Sequence, residues 1–177
     1  MKTTGIIRRI DDLGRIVIPK ELRKSLRIKN GDSLEIFVDQ EDIILKKYSP
    51  IESIEEAAMK YVDSFNQVIK HNVIVTDKDK VIAASGMLKK KYLGKKLTEF
   101  TERGIERRDS FVERQKKLFS FVEGVEDLGY YSFSSIVSDS DTIGSVIIIS
   151  VDGPILESDE KLAVILSKLL SGKFLEN

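Results

Sequence analysis

The sequence predicts an α+β protein of two domains: a small β-rich unit over residues 1–50, and a larger unit whose antiparallel sheet is flanked by helices. Three observations lead there. Runs of β-branched residues separated by turn residues crowd the first fifty positions. Ser49-Pro50-Ile51-Glu52 then reads as a boundary and a helix start, with Ser49 as N-cap, Pro50 at the first helical position and Glu52 closing a capping box. Beyond it, the chain runs in the order helix, two strands, helices, three strands, helix.

In the first unit, Gly5 to Ile10 reads as a strand, Asp11 to Gly14 as a turn, and Arg15 to Ile18 as a second strand. Pro19 cannot donate to a β-ladder, but its fixed φ suits the first position of a helix. The helix that follows is short, with Leu22 and Leu26 as its apolar stripe and Asn30-Gly31 as its left-handed stop. Leu34 to Val38 and Ile43 to Lys47 form a hairpin around Gln40-Glu41-Asp42. Fifty residues without a disulfide or metal ligand bury too little surface to be stable alone, which points to oligomerisation.

In the second unit, Ile51, Ile54, Ala58, Tyr61, Phe65 and Val68 recur at spacings of three and four. That seam, in a connecting helix over residues 51–70, pairs two chains or packs on the domain's own sheet. Within residues 71–177, Asn72 to Thr76 and Val81 to Ala84 form a hairpin, and Lys96 to Arg108 is a helix. Leu118 to Val122, Tyr130 to Val137 and Ile143 to Ser150 are strands. A last helix from Ser158 presents Leu162, Ile165, Leu166, Leu169 and Leu170 on one side.

The formal net charge of zero conceals an asymmetry. Residues 1–29 hold nine Lys/Arg against three acids, an excess of six, so residues 30–177 carry −6. A cationic head on an acidic body implies a polyanionic partner for the head. The basic segment has no aromatic side chain for base stacking, Phe37 and Tyr48 lying outside it, which favours duplex DNA over single strands. Without a long recognition helix, phosphate contacts and the shape of A·T-rich DNA carry more of the binding than base reading.

These residues carry a resemblance. GIIRRIDDLGRIVIPKELRKSLRIKNGDSLEIFVD followed by IILKKYSP resembles the N-terminal DNA-binding domain of the AbrB family across residues 1–50. The resemblance implies a swapped-hairpin barrel, in which two chains interleave their hairpins into one dimeric unit. It implies DNA contacts at Arg8, Arg15 and Arg23, with Lys24 where the family pattern has arginine; Arg9, Lys20 and Arg27 complete the basic set. Strand alternation favours Arg8 over Arg9 as the residue facing DNA. Residues 51–177 resemble a GAF domain, the small-ligand sensor fold. Together they imply a cytoplasmic, nucleoid-associated transcription regulator of sporulation genes, a homodimer through its heads and a tetramer through its connecting helices and GAF-like domains. The alternative is an antitoxin-type DNA-binding autoregulator, whose C-terminal part would be a short polar tail.

Other classes fare poorly. With no cysteine and one histidine, His71, nucleophilic and most acid–base catalysis lack their usual groups, and no enzyme activity or cofactor is expected. Asp77-Lys78-Asp79 and Asp139-Ser140-Asp141 lack the rest of a calcium loop and read as turns, so no metal site is expected. No run is apolar enough to span a membrane, and Met1 to Gly5 begins no signal peptide. A small-molecule effector would need polar groups on an apolar lining, for which Ser132, Ser134, Gly144 and Ser145 are the candidates. Gly144, inside an apolar strand, marks a bulge or a close backbone approach.

Overall fold

The computed structural model describes residues 5–48 and 55–175, and its chain divides between Tyr48 and Ser49 into two compact units. The proposed cap and box at Ser49 to Glu52, with Ile51 and Ile54 of the seam, lie outside the described residues.

In the first unit, helix α1 (Lys20–Ser25) precedes strands β1 (Leu34–Asp39) and β2 (Asp42–Lys47). The strands pair antiparallel, Val38 opposite Ile43 and Ile36 opposite Leu45, about a turn in which Gln40 has φ +53°. Here the structure departs from the expected strands at Gly5 to Ile10 and Arg15 to Ile18, neither of which joins a ladder within the chain. The local reason is that each lacks an adjacent strand edge of its own chain, and a lone hairpin is marginal in water. The aliphatic face of the hairpin has no cover either: Ile36, Val38 and Ile43 are 66%, 76% and 71% exposed. Ile7, Leu13, Val17 and Leu26 are also exposed, so among its described residues the unit has an apolar surface but no buried aliphatic core.

In the second unit, β3 (Asn72–Thr76), β4 (Val81–Ala84), β5 (Ser110–Phe119), β6 (Asp127–Ser138) and β7 (Asp141–Ser150) form one antiparallel sheet in the order β4-β3-β7-β6-β5. Helices α2 (Glu55–Ile69) and α5 (Glu157–Leu175) cover one face, packing Ala58, Val62, Ala163, Leu166 and Leu170 on Val73, Val75, Val146 and Ile148. Helices α3 (Lys89–Tyr92) and α4 (Glu99–Glu106) cover the other, where Tyr92 and Ile105 join Ile74, Ile147 and Ile149. Aromatic rings fill that second layer: Phe111 stacks on Phe133 at 5.1 Å, and Tyr131 meets Phe119 and Phe121 edge-on at 5.0 and 4.9 Å.

The seam of α2 packs on its own domain, since Ala58 is fully buried and Tyr61 and Phe65 lie against the same core, while Val68 is exposed. On α5, Leu162, Leu166 and Leu170 face the sheet, but Ile165 and Leu169 are exposed, so the expected single stripe is divided. Strand β5 begins eight residues before the expected one because its middle, Glu113 to Lys117, is charged; it is an edge strand, where charge is tolerated. The helix expected over Lys96 to Arg108 is only α4, as Lys96 and Leu97 make β-bridges with Lys80 and Val122.

The Asp77 turn forms as expected. Its Oδ1 accepts the N–H groups of Asp79 and Lys80, both at 2.6 Å. Burial, only partly offset by these bonds, raises the Asp77 carboxyl above its usual range. A carboxyl raised on folding favours the fold at acid pH, and that contribution is lost as pH rises from its unfolded value through the folded one. Asp77→Asn keeps the acceptor and removes the charge. It is expected to raise the thermal midpoint by a few degrees at pH 7, roughly 1 kcal/mol. Melting at pH 7 and below pH 4 checks this, because the gain vanishes where Asp77 is already protonated.

Candidate nucleic-acid interface

The turn before α1 is built by Asp11. Its Oδ1 accepts the N–H of Leu13 at 3.0 Å and of Arg15 at 2.8 Å, while Gly14, at φ +74°, donates to the Asp11 carbonyl at 2.9 Å. The Arg15 Nε–H donates to Oδ2 at 2.8 Å. The backbone N–H of Arg15 first, and its guanidinium second, hold the Asp11 carboxyl below its usual range. An exposed pair of this kind adds little stability, but it orients the guanidinium. Asp11 is thus a positioning residue missed from sequence, although the spacing Asp-x-x-Gly-Arg carries the signal.

Pro19 sits one residue before α1, as its cap, with its carbonyl accepting the Arg23 N–H at 2.9 Å. The stop differs from Asn30-Gly31. Arg27 adopts φ +52°, its N–H donates to the Lys24 carbonyl at 3.3 Å, and the Ile28 N–H donates to the Arg23 carbonyl at 2.7 Å. That is a Schellman motif with arginine where glycine is usual. Gly31 is left-handed too, but belongs to the later turn where Asp32 Oδ2 accepts the Lys29 N–H and meets Lys47 Nζ at 3.2 Å.

The candidate cations therefore fall into two groups. Lys20, Arg23 and Lys24 lie on α1 and Arg27 just beyond it, while Arg15 is fixed at the preceding turn. Lys20 and Lys24 are exposed, one turn apart; Arg23 is half-buried, and its Nε is buried without a hydrogen-bond partner among the described residues. Arg8 and Arg9 are both exposed, and within one chain no ladder orders them onto opposite faces.

The four effector candidates do not line one pocket. Ser132 and Ser134 pair with Ile148 and Val146 on the α5 side, where Ser134 Oγ donates to Ser167 Oγ at 3.2 Å. Ser145 points to the opposite face and bonds Thr76 Oγ1 at 2.8 Å. At Gly144 a Cβ would lie 1.9 Å from the Thr76 carbonyl oxygen, so this glycine marks a close backbone approach and not a pocket wall. The body instead has a cleft of about 340 Å³ beside α4, lined by Phe100, Arg103, Arg107, Asp109 and Phe111 among others. His71 lies half-buried with Nε2 at 3.5 Å from Asp159 Oδ2, whose carboxylate also accepts the Leu156 N–H before α5. Among the described residues no group of three or more acids and histidines is placed to hold a metal, and no helix is long and apolar enough to cross a membrane.

A small cationic hairpin-and-helix head joined to a helix-flanked antiparallel sheet is the make-up of a two-domain transcription regulator. Residues 53–176 match the family model described as stage V sporulation protein T C-terminal, transcription factor, and residues 7–53 match antidote-toxin recognition MazE, bacterial antitoxin. The chain is 47% identical over 163 residues to stage V sporulation protein T of Bacillus subtilis (strain 168), covering 91% of this chain and 92% of that one. Over 50 residues it is 64% identical to the transition state regulatory protein AbrB of the same organism, covering 28% of this chain and 52% of that one. The GAF domain from Acinetobacter phosphoenolpyruvate-protein phosphotransferase aligns with a TM-score of 0.58 at 12% identity, covering 90% of this chain and 95% of that one. The second unit thus has the GAF fold, and the chain belongs to the stage V sporulation protein T family of transcription factors, with an AbrB-like head.

Proposed function

We propose that the head binds duplex DNA as a dimer of interleaved heads, through Arg8, Arg15, Arg23 and Lys24 with Arg9, Lys20 and Arg27 in support, and that the body assembles and tunes the regulator of sporulation genes. The observation that carries this is that one small head joins a six-charge cationic excess over residues 1–29 to an uncovered aliphatic face on the hairpin that follows. The charge calls for a polyanion and the face for a second chain. A second head offers ladder edges to the segments at Gly5 to Ile10 and Arg15 to Ile18, and the unpartnered Arg23 Nε suits an acceptor brought by either partner.

In the body, the exposed Ile165 and Leu169 of α5, with Val68 of α2, support further assembly to a tetramer, since the seam residues Ala58, Tyr61 and Phe65 serve the domain's own core. The cleft beside α4, with aromatic rings, two guanidiniums and the carboxylates of Glu99 and Asp109, suits a small polar effector better than the separated serines do. The antitoxin alternative expects a short polar tail, whereas α2 to α5 and β3 to β7 surround a packed core. Such a regulator needs neither catalysis nor a cofactor, and it works in the cytoplasm on the nucleoid.

Arg15→Ala, Arg23→Ala and Lys24→Ala are each expected to weaken binding to A·T-rich duplex with the fold intact. Each lost phosphate contact lowers the magnitude of the log K against log salt slope by ~0.9. Anisotropy titrations across salt concentrations test this; unchanged affinity and slope in all three variants would leave the basic surface merely solvated. Arg9→Ala is expected to have a smaller effect than Arg8→Ala.

A further inference from the structure

The head's cationic excess has a counterpart in the body. Between residues 78 and 96 the chain carries seven lysines and one acid, Asp79, again an excess of six. The rest of the body, residues 51–77 and 97–177, then carries −9, so its charge is divided between a basic segment and an acidic remainder.

The fold brings Lys78, Lys80, Lys95 and Lys96 together beside the β3–β4 turn, with Lys89 and Lys90 on the short helix that leads into the same loop. The turn between β3 and β4 runs beside the loop after α3: Lys80 and Lys96 form an antiparallel bridge, the Val81 N–H donates to the Lys95 carbonyl at 2.9 Å, and the Leu97 N–H donates to the Asp79 carbonyl at 2.8 Å. Gly94, at φ +75°, swings the chain out of α3 into this loop, with its N–H on the Val81 carbonyl at 2.9 Å. Lys78, Lys90, Lys95 and Lys96 are exposed and Lys89 is half-buried. Among the described residues none of these five has an ion-pair partner, whereas Lys60, Lys91, Lys117 and Lys161 of the same domain each have one. Of the nearby acids, Asp127 is taken by Lys91 and Tyr92, Asp77 closes its own turn, and Glu123 stands at the rim with its N–H on the Lys96 carbonyl.

Five unpaired ammonium groups held on one turn, a loop and a one-turn helix repel one another until an anion relieves them. Lysine without arginine serves phosphate as a point charge and offers no fork for reading bases. The segment's aromatic residue, Tyr92, is buried, so no ring is available to stack on an unpaired base. We propose that this lysine patch is a second, sequence-independent contact for the phosphate backbone of duplex DNA, engaged when the head is bound. The proposal rests on the DNA-binding reading above. A head that holds DNA raises the phosphate concentration at its tethered body to the ~mM range, so contacts too weak to bind alone take effect in the complex.

The test uses the full chain with Lys89, Lys90, Lys95 and Lys96 changed to Gln, on an A·T-rich duplex of about two helical turns and on one of about ten. Far-UV circular dichroism and melting confirm the fold; if the quadruple variant is destabilised, Lys95→Gln with Lys96→Gln replaces it. On the long duplex the variant is expected to bind about tenfold more weakly. Its salt slope is expected to fall in magnitude by ~2 to ~4, as two to four contacts are lost. The change on the short duplex is expected to be smaller. Equal affinity and slope on the long duplex, with wild type binding normally, would overturn the proposal. Loss of binding to phosphatidylglycerol vesicles with DNA affinity intact would overturn it as well, in favour of a lipid contact. A wild-type chain that binds neither duplex would instead remove the DNA reading itself, and this proposal with it.

Discussion

Replacing Val38 and Ile43 together by aspartate is expected to abolish both self-association and DNA binding of the head, while leaving the body folded. The two residues face each other across the β1–β2 hairpin, 76% and 71% exposed in the single chain. Exposed in a monomer, such a pair tolerates acids. At the centre of an interleaved dimer it does not. Each aliphatic side chain contributes about 1.5–3 kcal/mol when fully buried, and the dimer holds four of them, so about 6–12 kcal/mol is at stake. A small domain's whole stability is about 5–15 kcal/mol. Sedimentation and duplex binding of the full chain check the result, with the body's melting transition as internal control. Unaltered association and affinity would mean that the aliphatic face is solvated in the working protein.

The second large effect is expected at Gly144. A Cβ there would lie 1.9 Å from the Thr76 carbonyl oxygen and 2.9 Å from its carbon, and both belong to backbone that no rotamer change can move. Thr76 is the last residue of β3, which pairs with β7 through Val73 to Val75 opposite Val146 to Ile148, all fully buried. Making room means parting these central strands. Gly144→Leu is expected to destabilise the body by more than ~4 kcal/mol, the range reserved for broken cores and strained backbone. Gly153→Leu, where no atom lies within 4 Å of the added carbon, is the matched control and is expected to melt near wild type. A Gly144→Leu chain that melts like wild type would contradict the close approach.

The parts of the molecule legible in the sequence are those governed by local chemistry. Pro19 marked the start of α1 to within one residue, because a fixed φ and a missing donor act locally. The Asp77 turn and the hairpins β1–β2 and β3–β4 followed from turn residues between apolar runs. The parts that failed depend on what lies across space. Gly5 to Ile10 and Arg15 to Ile18 have strand composition, but within one chain there is no edge for them to join. Arg27 took the left-handed stop although glycine was available four residues later, because the Schellman bonds required that position. The charged middle of β5 hid an edge strand, since edges are where charge is tolerated. For the site, the charge count located the cationic head, but only the structure joined Arg15 to Asp11. Ser134 and Ser145 pass for one cluster in sequence, and the register of β6 on β7 puts them on opposite faces.

Sedimentation velocity of the full chain, alone and with an A·T-rich duplex, tests most directly that two cationic heads must combine to hold DNA. A dimer or larger assembly that co-sediments with the duplex at low salt, and releases it as salt rises, is the predicted result. A monomer at micromolar concentration, or an assembly that leaves the duplex sedimenting as free DNA at low salt, would contradict it.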